Sequence, residues 1–572
     1  MKRKIFAFLL VVLMLVPMVV ACGGNSDTNT ATPTPSQSQT NTETNTETET
    51  NTETNTETST NTTTDTNVGE TDTDTNVGST TTNTQGNAGS QKVDVSTEDA
   101  MAYAKSKWNG KTLDVLATLW YGAGSKPEDA GTWSQPELYV KDYFDDTKYG
   151  QKINDAVMNR HNFIKDNYGV TLKWYVTSSN AVMNNELQSG LEAGYAKYHI
   201  ALPRMFNAQG LLGAETVYDL ANSKYIDLTK SYYNQSSVDS FSVYGHTFFV
   251  AGDFSFVDEE TATVIFYNQA ISESIRTFPN LYNKVRNGEW TIAELAKWSK
   301  LPGISGDTDN QSGYQDTDKY GFGSTGLSGF FQASGIQQVD VQTSSTGERS
   351  YYISLNANNA AVNDLVTQLS EIKSSTWART NWTGGYGALG QAFVDGRLLF
   401  YHEVVQKFSG FPVQTENFKV GVLPMPKLNT DQEDYHAPLC SQTTLMCIPK
   451  STLDREMSEF FFEVITATGQ KYIMAKYHET LSGYLYDDGE TSRSDALEML
   501  TDYVFPGMSY DQGFMYDAMG QKFMSTVQSE TISSTSGSSQ FMTLYLEAFG
   551  AADKTLNDPK TGWNTVAKNY KD

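Results

Sequence analysis

Lys111-Thr-Leu-Asp-Val-Leu-Ala-Thr-Leu-Trp120 is an apolar run that predicts a strand, and Tyr121-Gly122-Ala123-Gly124 breaks it into a loop. Tyr149 to Tyr168 then sets Ile153, Val157, His161 and Ile164 on one helical face, and Gly169 closes it. Val170 to Val176 reads as a second strand and Met183 to Gly194 as a second helix. Tyr198 to Leu202 is a third strand, leading into Pro203-Arg204. Strand, helix, strand, helix, strand is the pattern of a mostly parallel sheet covered by helices. Such sheets take ligands at the carboxyl ends of their strands, which directs attention to the loops after Leu119 and Leu202.

Downstream the alternation continues. Thr261 to Tyr267 predicts a strand ended by Asn268, and Thr291 with Glu294 three residues on forms a capping box opening a helix. Ala388 to Val394 reads as helix, Gly396 to Tyr401 and Phe418 to Leu423 as strands, and Leu445 to Ile448 as a strand stopped by Pro449. Asp454 to Thr468 and Ser492 to Tyr503 are helical, so the C-terminal part is mostly helix.

The N-terminus has a different character. Lys2, Arg3 and Lys4 precede an apolar run from Ile5 to Ala21, an export signal by its pattern. The run is about long enough to span a bilayer as a single helix, but Cys22-Gly23-Gly24 and the polar tract behind it fit cleavage better. Asn25 to Gly89 is nearly all Thr, Asn, Glu, Ser, Asp and Gly, with ten acidic residues and no basic ones. It cannot bury enough apolar surface to offset its ordering entropy, so residues 22–92 are expected to be a disordered tether. As a flexible coil its reach is about 45 Å. The chain carries a net charge of −26, and the part beyond the tether stays acidic, which argues against nucleic acid as a partner. The roughly 480 residues after the tether exceed one ordinary core and predict two lobes. Aromatic content is 12%, mostly Tyr and Phe, and aromatic faces suit sugar rings.

The order of short segments resembles a known family. Tyr198-His-Ile-Ala-Leu-Pro-Arg204 comes first, then Gly210-Leu-Leu-Gly, Tyr218-Asp-Leu220 and Tyr225-Ile-Asp-Leu228. Tyr244-Gly-His-Thr-Phe-Phe-Val-Ala-Gly-Asp253, Val264-Ile-Phe-Tyr-Asn268 and the Trp290-Thr291 helix start follow. Tyr320-Gly-Phe-Gly323, Ala392-Phe-Val-Asp-Gly396 and Gly421-Val-Leu-Pro-Met-Pro-Lys427 complete the set. Together they resemble the extracellular solute-binding proteins of ABC importers, in the family that includes maltose-binding protein. Cys22 after Val19-Val20-Ala21 likewise resembles the lipobox of bacterial lipoproteins, whose cysteine is acylated.

The resemblance implies a periplasmic-binding-protein-like α/β fold of type II, with two lobes joined by crossing hinge strands. The first crossing is expected near Phe248 to Phe254 and the second near Leu399 to Glu403. Residues 1–21 would be the signal and 22–92 the tether. Residues 93–247 and 402–452 would form the first lobe, and residues 248–401 with the helices of 453–572 the second. It further implies a monomer, lipid-anchored at the outer face of the cell membrane through Cys22, that carries a carbohydrate to ABC permease subunits without catalysis.

The same alignment of parts nominates ligand contacts. Trp120 and Tyr121 end the first strand, where a ring can stack on a sugar or fill a core. Arg204 follows the third strand, at a position where relatives use a charged pair, although Pro203 stands in place of the acid. Asp253 lies at the first crossing, Thr325 and Phe330 in the Gly/Ser-rich loop of 323–331, and His402 and Glu403 at the second crossing. Tyr510 falls among the C-terminal helices, and Trp382 with Tyr386 flanks Gly384-Gly385.

Asp307, Asp309, Gln311, Gln315 and Asp318 resemble a Ca²⁺ loop by spacing, with Ser312 where glycine is required and Asp in place of the last Glu. A bound ion there would be structural; no other cofactor is expected. Cys440 and Cys447 either pair or stay reduced and buried. Two rival classes remain in view. A secreted glycoside hydrolase needs two carboxylates facing across a cleft, and Asp258, Glu259 and Glu260 are adjacent and cannot all face one site. A surface adhesin would show repeated β-sandwich segments rather than βα units. A non-sugar solute is the remaining alternative within the binding class.

Overall fold

The computed structural model describes residues 92–118, 148–511 and 556–571, apart from 178, 206–207, 302, 312, 314, 354–358, 381, 383, 486–491 and 561. The expected signal, tether and Cys22, together with Trp120 and Tyr121, lie outside the described residues.

Helix α1 (Glu98–Trp108) is capped by Thr97, whose side chain accepts the Ala100 N–H. It leads into β1 (Thr112–Thr118). Helix α2 (Lys148–Tyr168), β2 (Thr171–Thr177), α3 (Asn180–Glu192) and β3 (Ile200–Leu202) follow, close to the predicted bounds. The strands form a parallel sheet in the order β2-β1-β3. Side chains alternate across it as a pleat requires. Leu113, Val115 and Ala117 face one apolar cluster with Trp108 and Tyr168, whereas Leu116 faces another with Ile153 and Met183. Residues 444–447 return much later to extend this sheet, with Ala201 opposite Cys447, Arg204 opposite Thr444 and Val250 opposite Met446, all antiparallel.

The second sheet holds β4 (Thr263–Asn268), β5 (Tyr320–Gly323), β6 (Ala378–Arg379), β7 (Leu398–Val404) and β8 (Val420–Pro424), in the order β6-β5-β7-β4-β8. Strands β5, β6 and β7 are parallel, while β4 runs against both β7 and β8. The chain therefore leaves the first sheet after Val250 and enters the second at Thr263. It returns through residues 437–444, where Leu439 pairs antiparallel with Ala262. Two sheets with strand-and-helix layers, joined by two crossings, make this a periplasmic-binding-protein-like α/β protein of type II.

Three boundaries need correction. Residues 399–403 are not the second crossing: they lie in β7, hydrogen-bonded on both sides in the middle of the second sheet. Residues 402–424 consequently belong with the second sheet, because β8 pairs with β4, and only the segment from about 444 onward joins the first. Nor do the C-terminal helices all go with the second sheet. Helix α4 (Val257–Thr261) lies in the outward crossing, and α5 (Ile292–Ser299) is opened by Thr291 as expected, its side chain accepting the Glu294 N–H. The next helices, α6 (Gly329–Ala333) and α7 (Gly385–Val394), pack on the second sheet. Helix α8 (Arg455–Gly469), however, buries Phe460, Phe461 and Ile465 in the cluster of the first sheet, with both Phe rings against Trp108. Its last residue touches the outward crossing so closely that a Cβ on Gly469 would fall 1.9 Å from the Asp253 carbonyl oxygen. Helix α9 (Ala475–Ser482) and α10 (Ser492–Glu498) follow, and α10 returns to β8.

Candidate functional site

Strands β5 and β7 run in register, Tyr401 beside Gly323, so their carboxyl ends deliver Ser324 and His402 to the same level. The first residue of β4, Thr263, lies opposite Val404. Together with the returning crossing they line a pocket of ≈ 90 Å³ that includes Thr325, Gln332, Tyr386, His402, Glu403 and Leu439. It lies where a sheet of this kind exposes ligand-binding loops.

His402 is oriented from behind. Its Nδ1 is 2.8 Å from Ser324 Oγ, and the Ser324 hydroxyl is also hydrogen-bonded to the Gly326 carbonyl. Since one hydroxyl carries one proton, its donation to Gly326 assigns the imidazole proton to Nδ1 and leaves Nε2 a bare acceptor. Nε2 is buried without a hydrogen-bond partner. Burial pushes the imidazole down to about 4, against a backbone hydrogen bond at Gly326, so the ring is neutral. The Glu403 carboxyl is raised by burial, while Lys407 and hydrogen bonds from the Val404 N–H and the Tyr401 hydroxyl oppose the shift. Burial likewise pushes the Tyr386 hydroxyl up to about 12, opposed by a hydrogen bond with Thr325.

Gln332 was not anticipated from sequence. It is 4% exposed, its Nε2 donates to Asp511 Oδ2 at 3.1 Å, and its Oε1 has no partner. Phe330 and Phe331 dominate that stretch as written, and only the helical turn of α6 brings Gln332 to the pocket. Ser324 was missed for a similar reason: a serine in a Gly-rich loop has no signature until its histidine is placed.

Of the contacts nominated from sequence, Thr325, His402 and Glu403 come together here, with Tyr386. The others lie elsewhere. Arg204 is buried in the first sheet, its Nη1 on Thr444 Oγ1 and the Gln442 carbonyl. Phe330 is wholly buried against Phe322 and the His402 ring, which makes it core. Tyr510 is also fully buried, donating to Asp258 Oδ2 at 3.2 Å. Trp382 packs edge-on against Tyr320 and lines a separate open depression with Arg397. Asp253 stays on the outward crossing, its carboxyl pushed up to about 7 by burial and by the charge of Glu259. The three acids of α4 are all buried: Asp258 accepts from Tyr510, Glu259 Oε2 lies 2.7 Å from His478 Nε2, and the charges of Glu259 and Asp253 add to burial in raising the Asp258 carboxyl.

Asp307, Asp309 and Asp318 do converge, with carboxylate oxygens within 4.8 Å of one another, whereas Gln311 is exposed. Three hard oxygen donors suit Ca²⁺. Each carboxylate is also engaged with its own loop: Asp318 accepts the N–H groups of Thr308 and Gln315, Asp307 that of Asn310, and Asp309 that of Gln311. Ser312 lies outside the described residues. Cys447 is a free, buried thiol, so it is not paired with Cys440. Among the described residues no helix is long and apolar enough to cross a membrane.

No protein-family model matches the chain, and no curated protein matches it in sequence. In three dimensions it is similar to several solved structures. One is an ABC substrate-binding protein from Listeria monocytogenes in complex with cycloalternan, with TM-score 0.48 and 14% identity over 78% of this chain and 99% of that one. Another is the sugar-binding protein MalE from Xanthomonas citri, with TM-score 0.47 and 13% identity over 78% and 97%. A third is the maltose/maltodextrin-binding domain MalE from Bdellovibrio bacteriovorus bound to maltotriose, with TM-score 0.45 and 11% identity over 78% and 100%. The strand order and the paired crossings carry the fold.

Proposed function

We propose that this chain is a non-enzymatic solute-binding protein that captures a carbohydrate and delivers it to an ABC permease. The observation that supports this most is the shared use of Leu439. It pairs with Ala262 where the two crossings run side by side, and it also lines the pocket. A solute seated there touches the backbone on which the two sheets turn, so binding favours one arrangement of the sheets over another. The pocket brings one carboxylate, Glu403, to its described lining, whereas glycoside hydrolysis works with a pair. In this reading Cys22 carries the lipid anchor at the outer face of the membrane, and residues 22–92 lift the binding domain away from it.

The test is calorimetry of the full chain against neutral oligosaccharides, with the same mixtures assayed for products over hours. Saturable binding with the sugar recovered intact supports the proposal. Release of shortened sugars would replace it with the hydrolase, and binding of non-sugar solutes alone would reassign the ligand class.

A further inference from the structure

We infer that the pocket beside the crossing reads a hydrogen-bond-donating group, neutral or cationic, and excludes anionic ones. This rests on the proposed binding role and names the chemistry that role would select. Two residues of the lining carry buried acceptors without partners, Nε2 of His402 and Oε1 of Gln332. Between them they ask for two donors, since a buried acceptor left without a hydrogen bond keeps its full desolvation cost. The one acidic group in the lining, Glu403, is a third acceptor when ionised, and neither Lys nor Arg is among the described lining residues.

The tautomer is held in place by its surroundings. Ser324 is a positioning residue: its oxygen accepts the Gly326 N–H at 3.1 Å while its hydroxyl is hydrogen-bonded to the Gly326 carbonyl, which holds the imidazole through Nδ1 and leaves Nε2 the acceptor of this lining residue. A ligand hydroxyl or ammonium satisfies Nε2 directly. A carboxylate or phosphate sets lone pairs against lone pairs in a site of low dielectric, where like charges repel most strongly. The net charge of −26 adds a long-range field of the same sign.

The test titrates the full chain with a charge series: maltotriose as the neutral sugar, chitotriose bearing ammonium groups and trigalacturonate bearing carboxylates. Sorbitol, spermidine and citrate form the matching non-sugar series. Maltotriose or chitotriose binding at least ten-fold tighter than trigalacturonate is the expected result. Binding of sorbitol or spermidine alone would remove the sugar assignment and keep the charge rule. Trigalacturonate or citrate binding as tightly as its partners would overturn the rule, and binding of none of the six would overturn both. His402→Phe should weaken the preferred probe about ten-fold or more. If that variant fails to fold, Ser324→Ala serves: with the tautomer released, its preference for neutral over carboxylate sugar should shrink several-fold. An unchanged preference would contradict the inference.

Discussion

Ala201 and Cys447 exchange a reciprocal pair of backbone hydrogen bonds, each N–H on the other's carbonyl at 2.9 Å. That pair closes the chain's excursion: everything between the two crossings is inserted between Val250 and Met446, which also pair. The segment around Leu439 therefore has its path fixed at both ends, by the first sheet on one side and by Ala262 on the other. A pocket built on it is tied to both halves of the fold.

Phe330 tests the distinction between core and contact. Its ring is buried between Phe322 and His402. Phe330→Ala is expected to cost about 3–5 kcal/mol of stability by opening a cavity. Chemical denaturation measures this; a weakened affinity with unchanged stability would return Phe330 to the ligand.

Much of the element order was legible before any coordinates. The strands at 112–118, 171–177 and 263–268 and the helices at 148–168 and 455–469 follow apolar periodicity that local chemistry enforces. The capping box was half right: Thr291 caps the Glu294 N–H, but the Glu294 side chain turns to Lys297 and Trp298. What sequence could not supply was pairing. Leu398 to Val404 reads equally well as a crossing strand or a central one, and only its neighbours on both sides decide. For the same reason Thr325 could be nominated from its loop, and His402 and Glu403 only from an expected crossing that proves to be the central strand, while Gln332 and Ser324, whose roles depend on who faces them, could not.

Asp454 joins the late helix to the first one. Its carboxylate accepts the Met457 N–H at the start of α8 and the Trp108 Nε1–H, both at 3.1 Å. Asp454→Ala should cost about 1–3 kcal/mol, losing a helix cap and leaving a buried indole N–H unpaired. Thermal melts report it, and a change within a few tenths of a kcal/mol would show that packing of Phe460 and Phe461 alone holds α8.

Asp253 gives stability an unusual pH dependence. Its carboxyl is raised from 3.8 to about 7, by burial and then by Glu259, with Gln470 and His478 opposing. An acid raised on folding contributes stability that is complete below about pH 3.8 and is lost as pH climbs through about 7. Asp253→Asn should therefore melt close to wild type near pH 4 and at higher temperature above pH 7, the gap opening between those values. A gap that is constant from pH 4 to 8 would assign the effect to packing.

Hydrogen exchange of the full chain, with and without the tightest-binding sugar, reports most directly on whether a solute seats beside the crossing. Slower exchange at residues 324–332 together with 437–444 is the predicted result, since the pocket draws on both. Slowing confined to the depression around Trp382 and Arg397, with the crossing unchanged, would contradict it.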